Sequence, residues 1–151
     1  MKKIFILSIV ILFSAVSFCQ NIVSSQVPVE VKNSLDIRFP DLKEIKWKIE
    51  NDTTYTAEFK INESATEAEF NKKGEWLSTE WEFPVNYTPQ AIKDYIAKNY
   101  AKYKINEISL TDFPGDGKLY VVEISNKKSC ENLYFSLKNE FNKTVNKKCN
   151  K

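Results

Sequence analysis

Two stretches of this chain are written to one pattern. Tyr55, Glu58, Ser64, Phe70, Lys73, Glu75 and Thr79 recur as Tyr120, Glu123, Ser129, Phe135, Lys138, Glu140 and Thr144, at a constant offset of 65. Upstream, "PVEVKNSLDIRF" at 28–39 aligns with "PQAIKDYIAKNY" at 89–100 at an offset of 61. A chain that repeats itself this way builds one supersecondary unit twice and packs the copies together. A unit of about 65 residues alone buries too little surface to be robust. The four residues gained by the second copy fall at "FPGDG", 113–117, which reads as a turn built by Pro114, Gly115 and Gly117.

Each copy opens on a helix signal. Pro28 and Pro89 suit a first helical position, where φ is preset and no needed N–H is lost, and Thr88 precedes Pro89 as a natural cap. Val31, Leu35 and Phe39, like Ile92, Ile96 and Tyr100, recur every four residues and give each helix one apolar stripe that needs a sheet to cover it. In "KEIKWKIE" (43–50) and "TYTAEFKI" (54–61) the apolar residues alternate as Ile45, Trp47, Ile49 and then Tyr55, Ala57, Phe59, the period of half-buried strands. "NKKG" at 71–74 makes a four-residue turn with Gly74 at positive φ, and "SLKN" at 136–139 fills the same place with Asn139 in that role. Each copy is therefore one helix followed by four antiparallel strands. The residues expected inside are Leu35, Phe39, Ile45, Trp47, Tyr55, Phe59 and Phe70, then Ile92, Ile96, Tyr100, Tyr120, Val122, Ile124, Leu133 and Phe135.

Strand side chains alternate between faces, so the same parity predicts what points away from the helices. If the "SLKN" turn closes between Phe135 and Glu140, Tyr134 falls opposite Phe141, and the matching pair in the first copy is Glu69 opposite Trp76. The outward face of the second copy then shows Leu119, Val121, Tyr134, Phe141 and Val145, extending to Trp76. Such an aromatic cluster suits a partner-binding surface centred on Tyr134 and Phe141. The alternative is a bulge that flips the last strand, for which Asn142 on the inward side is the warning, or a C-terminal tail that covers the patch.

The N-terminus, "MKKIFILSIVILFSAVSFCQ", has two lysines, an apolar run from Ile4 to Val16 and small or polar residues after it, as a cleaved secretory signal requires. The run is shorter than the roughly 20 residues of a bilayer span. Residues 1–19 are read as signal peptide, with lipoprotein processing at Cys19 as the rival, disfavoured by the bulky Phe18 before it. The mature region, 20–151, divides into repeats at about 26–84 and 85–148. Losing Lys2 and Lys3 turns 22 basic against 20 acidic residues into 20 against 20, so the mature chain is formally neutral. That balance gives nucleic acid no basic face to bind. Cys130 and Cys149 remain in an oxidising compartment, and a disulfide between them is the leading reading over two free thiols.

No catalytic set emerges. The chain has no histidine, which removes the usual general base and the common triads and zinc sites, and three glycines cannot write a phosphate-cradling loop. Neither cofactor nor metal is expected. Glu63, Glu67 and Glu69 could supply paired carboxylates but read better as a solvated hairpin face. Asp112 and Asp116 lack the spaced ligands of a calcium loop.

The first copy, with "PVEVKNSLDIRFPDLKEIKW", "YTAEF" and "AEFNKKGEWLSTE", and the degenerate second copy from "TPQAIKDYIAKNY" onward, resemble the PepSY-like proteins. These are also described as beta-lactamase-inhibitor-like and are found as small secreted proteins of Bacteroidetes. In the second copy Ala101 replaces Pro40 and the tryptophan has no counterpart. The resemblance implies an α+β fold in which two tandem repeats join into one broad sheet with both helices on one face, and an exported, non-enzymatic role. It carries over no site residues.

Three functions follow in order. The first is a binding protein presenting a sheet face to a secreted or envelope protein, in the manner of an inhibitor. The second is a small-ligand carrier using the groove between repeats. The third is a hydrolase with an atypical carboxylate site at Glu67 or Glu69.

Overall fold

The computed structural model describes residues 19–50, 52–147 and 149. The expected signal peptide lies outside the described residues except for Cys19, which opens the first strand. The chain then runs β1 (Cys19–Ile22), α1 (Val29–Arg38), β2 (Lys46–Glu50), β3 (Thr54–Ile61), β4 (Ser64–Asn71) and β5 (Trp76–Phe83). It continues with α2 (Gln90–Asn99), β6 (Lys104–Phe113), β7 (Gly117–Ser125), β8 (Cys130–Phe135) and β9 (Phe141–Lys147).

The strands form one nine-stranded antiparallel sheet in sequence order, β1 to β9, and both helices cover the same face. The helix followed by four strands is found twice, as α1 with β2–β5 and α2 with β6–β9. The strand that the sequence pattern missed is β1. It pairs with β2 across α1, as β5 pairs with β6 across α2, so each helix bridges two neighbouring antiparallel strands. Ile22 and Phe83 are the matching residues at the ends of these entry strands, and each packs against its own core.

Each helix is held by two fully covered residues one turn apart, Val31 and Leu35 in α1, Ile92 and Ile96 in α2. The prolines act as N-caps rather than first helical residues: Pro28 and Pro89 have ψ of 145° and 142°. Thr88 does not cap α2. Its hydroxyl donates to Val85 O at 2.7 Å and closes the short 3-10 turn ahead of the helix. Pro40 is not what stops α1, since α2 has Ala101 there and ends alike. Phe39 N–H bonds Leu35 O and Tyr100 N–H bonds Ile96 O, both at 2.7 Å.

The core lies in two clusters, one under each helix. Trp47, Tyr55, Ala57, Phe59, Ala68 and Phe70 meet α1, and Ile108, Val122, Ile124, Leu133 and Phe135 meet α2. Phe39, Ile45, Tyr100 and Tyr120 pack at the margins, half-buried. Between the clusters, the Arg38 guanidinium of α1 lies 3.4 Å from the centre of the Trp76 ring and 3.9 Å from Asp112 of β6. Lys118 of β7 sits over Trp81 of β5. Cation–π and charge contacts thus stitch the helix side of the β5–β6 joint.

Candidate functional site

Two hairpin bulges decide which side chains the outer face, opposite the helices, can offer. In β4–β5 the register shifts at Glu69/Phe70, so Trp76 pairs with Phe70 and Glu69 pairs with Ser78. In β8–β9 it shifts at Tyr134/Phe135, so Phe141 pairs with Phe135 and Tyr134 with Lys143. The expectation that Trp76 and Phe141 point outward is therefore wrong. An extra residue in the returning strand turns each ring to the helix side, where both find apolar cover. Trp76 packs on the α1 core and its Nε1–H donates to Thr79 Oγ1 at 2.9 Å. Phe141, 39% exposed, stacks on Tyr95 of α2 at 4.8 Å. The bulge that Asn142 signalled is present.

Leu119, Val121, Tyr134 and Val145 do project from the outer face, but they form no open patch. Tyr134 and Phe113 rings come within 6.2 Å of each other across β7, between Gly117 and Val121, where Leu119 lies only 7% exposed. Lys143 Nζ lies over the Tyr134 ring. Val145, 46% exposed, is at the sheet edge. Cys130 and Cys149 are bonded, with Cα atoms 5.3 Å apart, which ties the tail to β8.

The larger feature of the outer face is polar; it lies mainly on the first repeat and reaches the second through Glu107 and Lys147. Lys147 of β9 and Glu50 of β2 line one concavity of about 780 Å³ although seven strand positions separate them. A flat sheet would hold them about 33 Å apart, so the sheet is curled with this face inside. Glu67 and Glu80 stand directly opposite on β4 and β5, with Glu107 beside them on β6. The buried floor around them is hydroxyl-bearing: Ser78 donates to Glu69 at 3.0 Å, and Ser109 and Thr111 bond each other at 3.3 Å.

Crowding sets the protonation of these carboxyls. Glu80 is pushed up to about 7, first by burial and then by the charges of Glu107 and Glu67, while the Ser109 hydroxyl opposes the rise. Glu69 is raised by burial and by Glu50, with Ser78 pulling the other way. Glu67 is also raised, mainly by desolvation in the trough and further by its acidic neighbours, against the pull of Lys48. Glu123 behaves oppositely. Burial favours its neutral form, but hydrogen bonds from Lys147 and Asn106 and the Lys147 charge bring it below the usual carboxylate range.

The sequence singles out Glu67 and Glu69; it passes over Glu80 on β5 and Glu107, the latter because residues 104–113 carry no assigned strand there. The signal was there in "KINEISLTDF", which alternates Ile108 and Leu110 with Glu107, Ser109 and Thr111. Glu63 sits at the β3–β4 turn, and Asp112 is taken by Arg38 on the helix side. Among the described residues no group of three or more acidic, cysteine or histidine side chains is placed to hold a metal ion.

The same fold occurs in solved structures. A BLIP-like protein from Bacteroides fragilis superposes with a TM-score of 0.62 at 21% identity, over 78% of this chain and 84% of that one. A protein from Bacteroides eggerthii, described as a "putative periplasmic" protein, superposes with a TM-score of 0.63 at 18% identity, over 80% and 88%. At these identities the likeness is one of fold. No curated protein matches the chain. A family described as "Putative beta-lactamase-inhibitor-like, PepSY-like" matches residues 53–143, more than half of the chain, so the protein belongs to the beta-lactamase-inhibitor-like, PepSY-like family.

Proposed function

We propose that the protein is an exported, non-enzymatic binding module that holds a partner protein on the concave outer face of its sheet. One observation carries this reading: the face without helices curls into an open trough of about 780 Å³ that spans both repeats. An antiparallel sheet with one covered face commonly leaves the other polar and solvated, and where that face is concave it complements a convex partner and desolvates it. Export is supported by the signal-like N-terminal segment and by the description of the Bacteroides eggerthii relative. Among the described residues no helix is long and apolar enough to cross a membrane. A small-ligand carrier would need an enclosed site, and this trough is open to solvent.

A photocrosslinking residue tests the face. Placed at exposed Glu82, which lines the trough, it should yield a discrete crosslinked product in the envelope of the producing cell. Placed at Ile37, 84% exposed on α1, it should yield none. A product from position 37 and none from 82 would move the binding surface to the helices.

A second reading has its own observation, since a carboxyl pushed up to about 7 among other acidic side chains suits acid catalysis. Burial first, then the neighbouring Glu107 and the cross-strand Glu67, account for that shift without a substrate between them. A carboxylate hydrolase would show turnover in a broad glycoside and ester screen, and Glu80→Gln would abolish it.

A further inference from the structure

The repeat makes the charge of the trough informative, because each outer-face residue has a counterpart in the other copy. In the first copy, Lys46 and Lys48 of β2 face Glu58 of β3, and Lys48 forms an ion pair with it. In the second copy the matching positions carry Glu107 and Ser109, facing Glu123. Glu123 takes its cation from β9 instead, as Lys147. The acids at the joint, Glu67, Glu80 and Glu107, are thus left where the compensating lysines of the repeat are missing. The two cations that reach them, Lys48 and Lys147, are already bonded to Glu58 and Glu123.

Among the described residues, eight glutamates and four lysines line the trough, in a mature chain with 20 basic and 20 acidic residues. Negative charge is therefore gathered here and positive charge placed elsewhere. A second observation is independent of the acids. Thr56 is 2% exposed on the outer face, between Lys48 and Glu69 in register, and its Oγ1 has no hydrogen-bond partner among the described residues. Its counterpart in the second copy is Val121, so packing at this position asks only for a β-branched side chain. The hydroxyl lies on the carboxylate side of the sheet, next to Glu69 in register, with its lone pairs unused.

Resting on the outer-face reading above, we infer that the trough receives a lysine- and arginine-rich segment of a partner protein. Its ammonium and guanidinium groups fall among Glu67, Glu80 and Glu107. The acids run from Glu50 on β2 to Glu107 on β6, four strand spacings or about 19 Å. That breadth suits charges distributed along a polypeptide rather than one compact ion. Opposite charge also steers the encounter and makes it salt-sensitive.

Fluorescent octalysine, titrated into the disulfide-intact protein and followed by anisotropy, tests this directly. It should bind at low salt and weaken at least tenfold between 20 and 200 mM salt, by the screening of charge pairs. Glu67→Gln with Glu107→Gln should weaken it roughly tenfold or more, and Glu82→Lys, at an exposed position that leaves the fold undisturbed, should do so severalfold. Asp36→Asn with Asp94→Asn, exposed acids of the two helices, should change nothing. Equal loss in the helix variant, binding of octaglutamate to a similar extent, or spermine binding as tight as octalysine would each overturn the inference. If octalysine fails while the crosslink from position 82 still forms, the basic segment is wrong and the face reading stands. If that crosslink fails too, both fall.

Discussion

The two repeats agree on the side the helices cover and disagree on the other. Under the helices, Tyr55, Phe59 and Phe70 correspond to Tyr120, Ile124 and Phe135, all apolar and buried or nearly so. Volume is redistributed rather than changed in kind. Trp47 stands over Ala57 and Ala68 in the first copy, where the second has Ile108, Val122 and Leu133. On the outer face Thr54, Thr56, Glu67, Glu69 and Glu80 become Leu119, Val121, Asn132, Tyr134 and Val145. A core must be filled to close packing, so its positions vary together. An uncovered face carries no such constraint, and at these five positions an acidic and hydroxyl-bearing set in the first copy has become a mostly apolar one in the second.

The sharpest test of the shared core compares its two largest equivalent residues, Phe70 and Phe135, both fully buried. Alanine at either should cost about 3–5 kcal/mol, and by similar amounts. Denaturant unfolding should remain a single transition in both, because β5–β6 pairing and the Arg38–Asp112 contact couple the units. A biphasic curve would mean that the repeats unfold separately.

Next in size is a difference at the matching turns. Gly74 has φ of 80°, and a Cβ there would lie 2.6 Å from Glu30 O of α1, so the helix rests on this turn. Gly74→Ala should destabilise by roughly 2–4 kcal/mol, from strain and from the backbone it would displace. Asn139, at φ of 66° in the second copy, already carries a side chain. Asn139→Gly should move stability by about 1 kcal/mol or less.

The acidic set should also announce itself in pH dependence. Glu80 holds its proton up to about 7 in the folded chain, against a model-compound value of 4.5. It faces Glu67 of β4, Glu107 and Ser109 of β6 and Lys147 of β9. Between those pH values the folded state binds more protons than the unfolded one, so stability falls as pH rises through this window, by up to about 3 kcal/mol. Glu80→Gln should flatten most of that slope. The raised Glu67 and Glu69 supply the remainder. An unchanged slope in the variant would remove Glu80 as its source.

The smallest effect separates the two aromatic rings of the last hairpin. Phe141→Ser should cost about 1–2 kcal/mol, because the ring packs on Tyr95 and Phe135. Tyr134→Ser should cost less than about 1 kcal/mol, since its contacts are with Phe113 and Lys143 at the outer face. Reversed magnitudes in thermal unfolding would put Tyr134 in the core and contradict the bulge.

Much of this architecture was legible in the residues because its signals are local. The period of Val31 and Leu35, the alternation of Tyr55, Ala57 and Phe59, and the turn residues Gly74 and Asn139 each report on a few neighbouring φ and ψ values. The offset of 65 extended those readings to the second copy, and with them the helix-facing core and the two four-stranded hairpin pairs. What the pattern could not reach was longer in range. Cys19–Ile22 becomes a strand only because β2 offers it an edge, and four residues carry little period of their own. Trp76 and Phe141 changed sides because one bulge residue inverts strand parity. Aromatic packing under a helix decides where that bulge goes, and no alternation of residue types reports it. The trough needed tertiary structure altogether. Glu67, Glu80 and Glu107 are ordinary outward glutamates in sequence, and only the pairing of β4, β5 and β6 and the curl of the whole sheet bring them together.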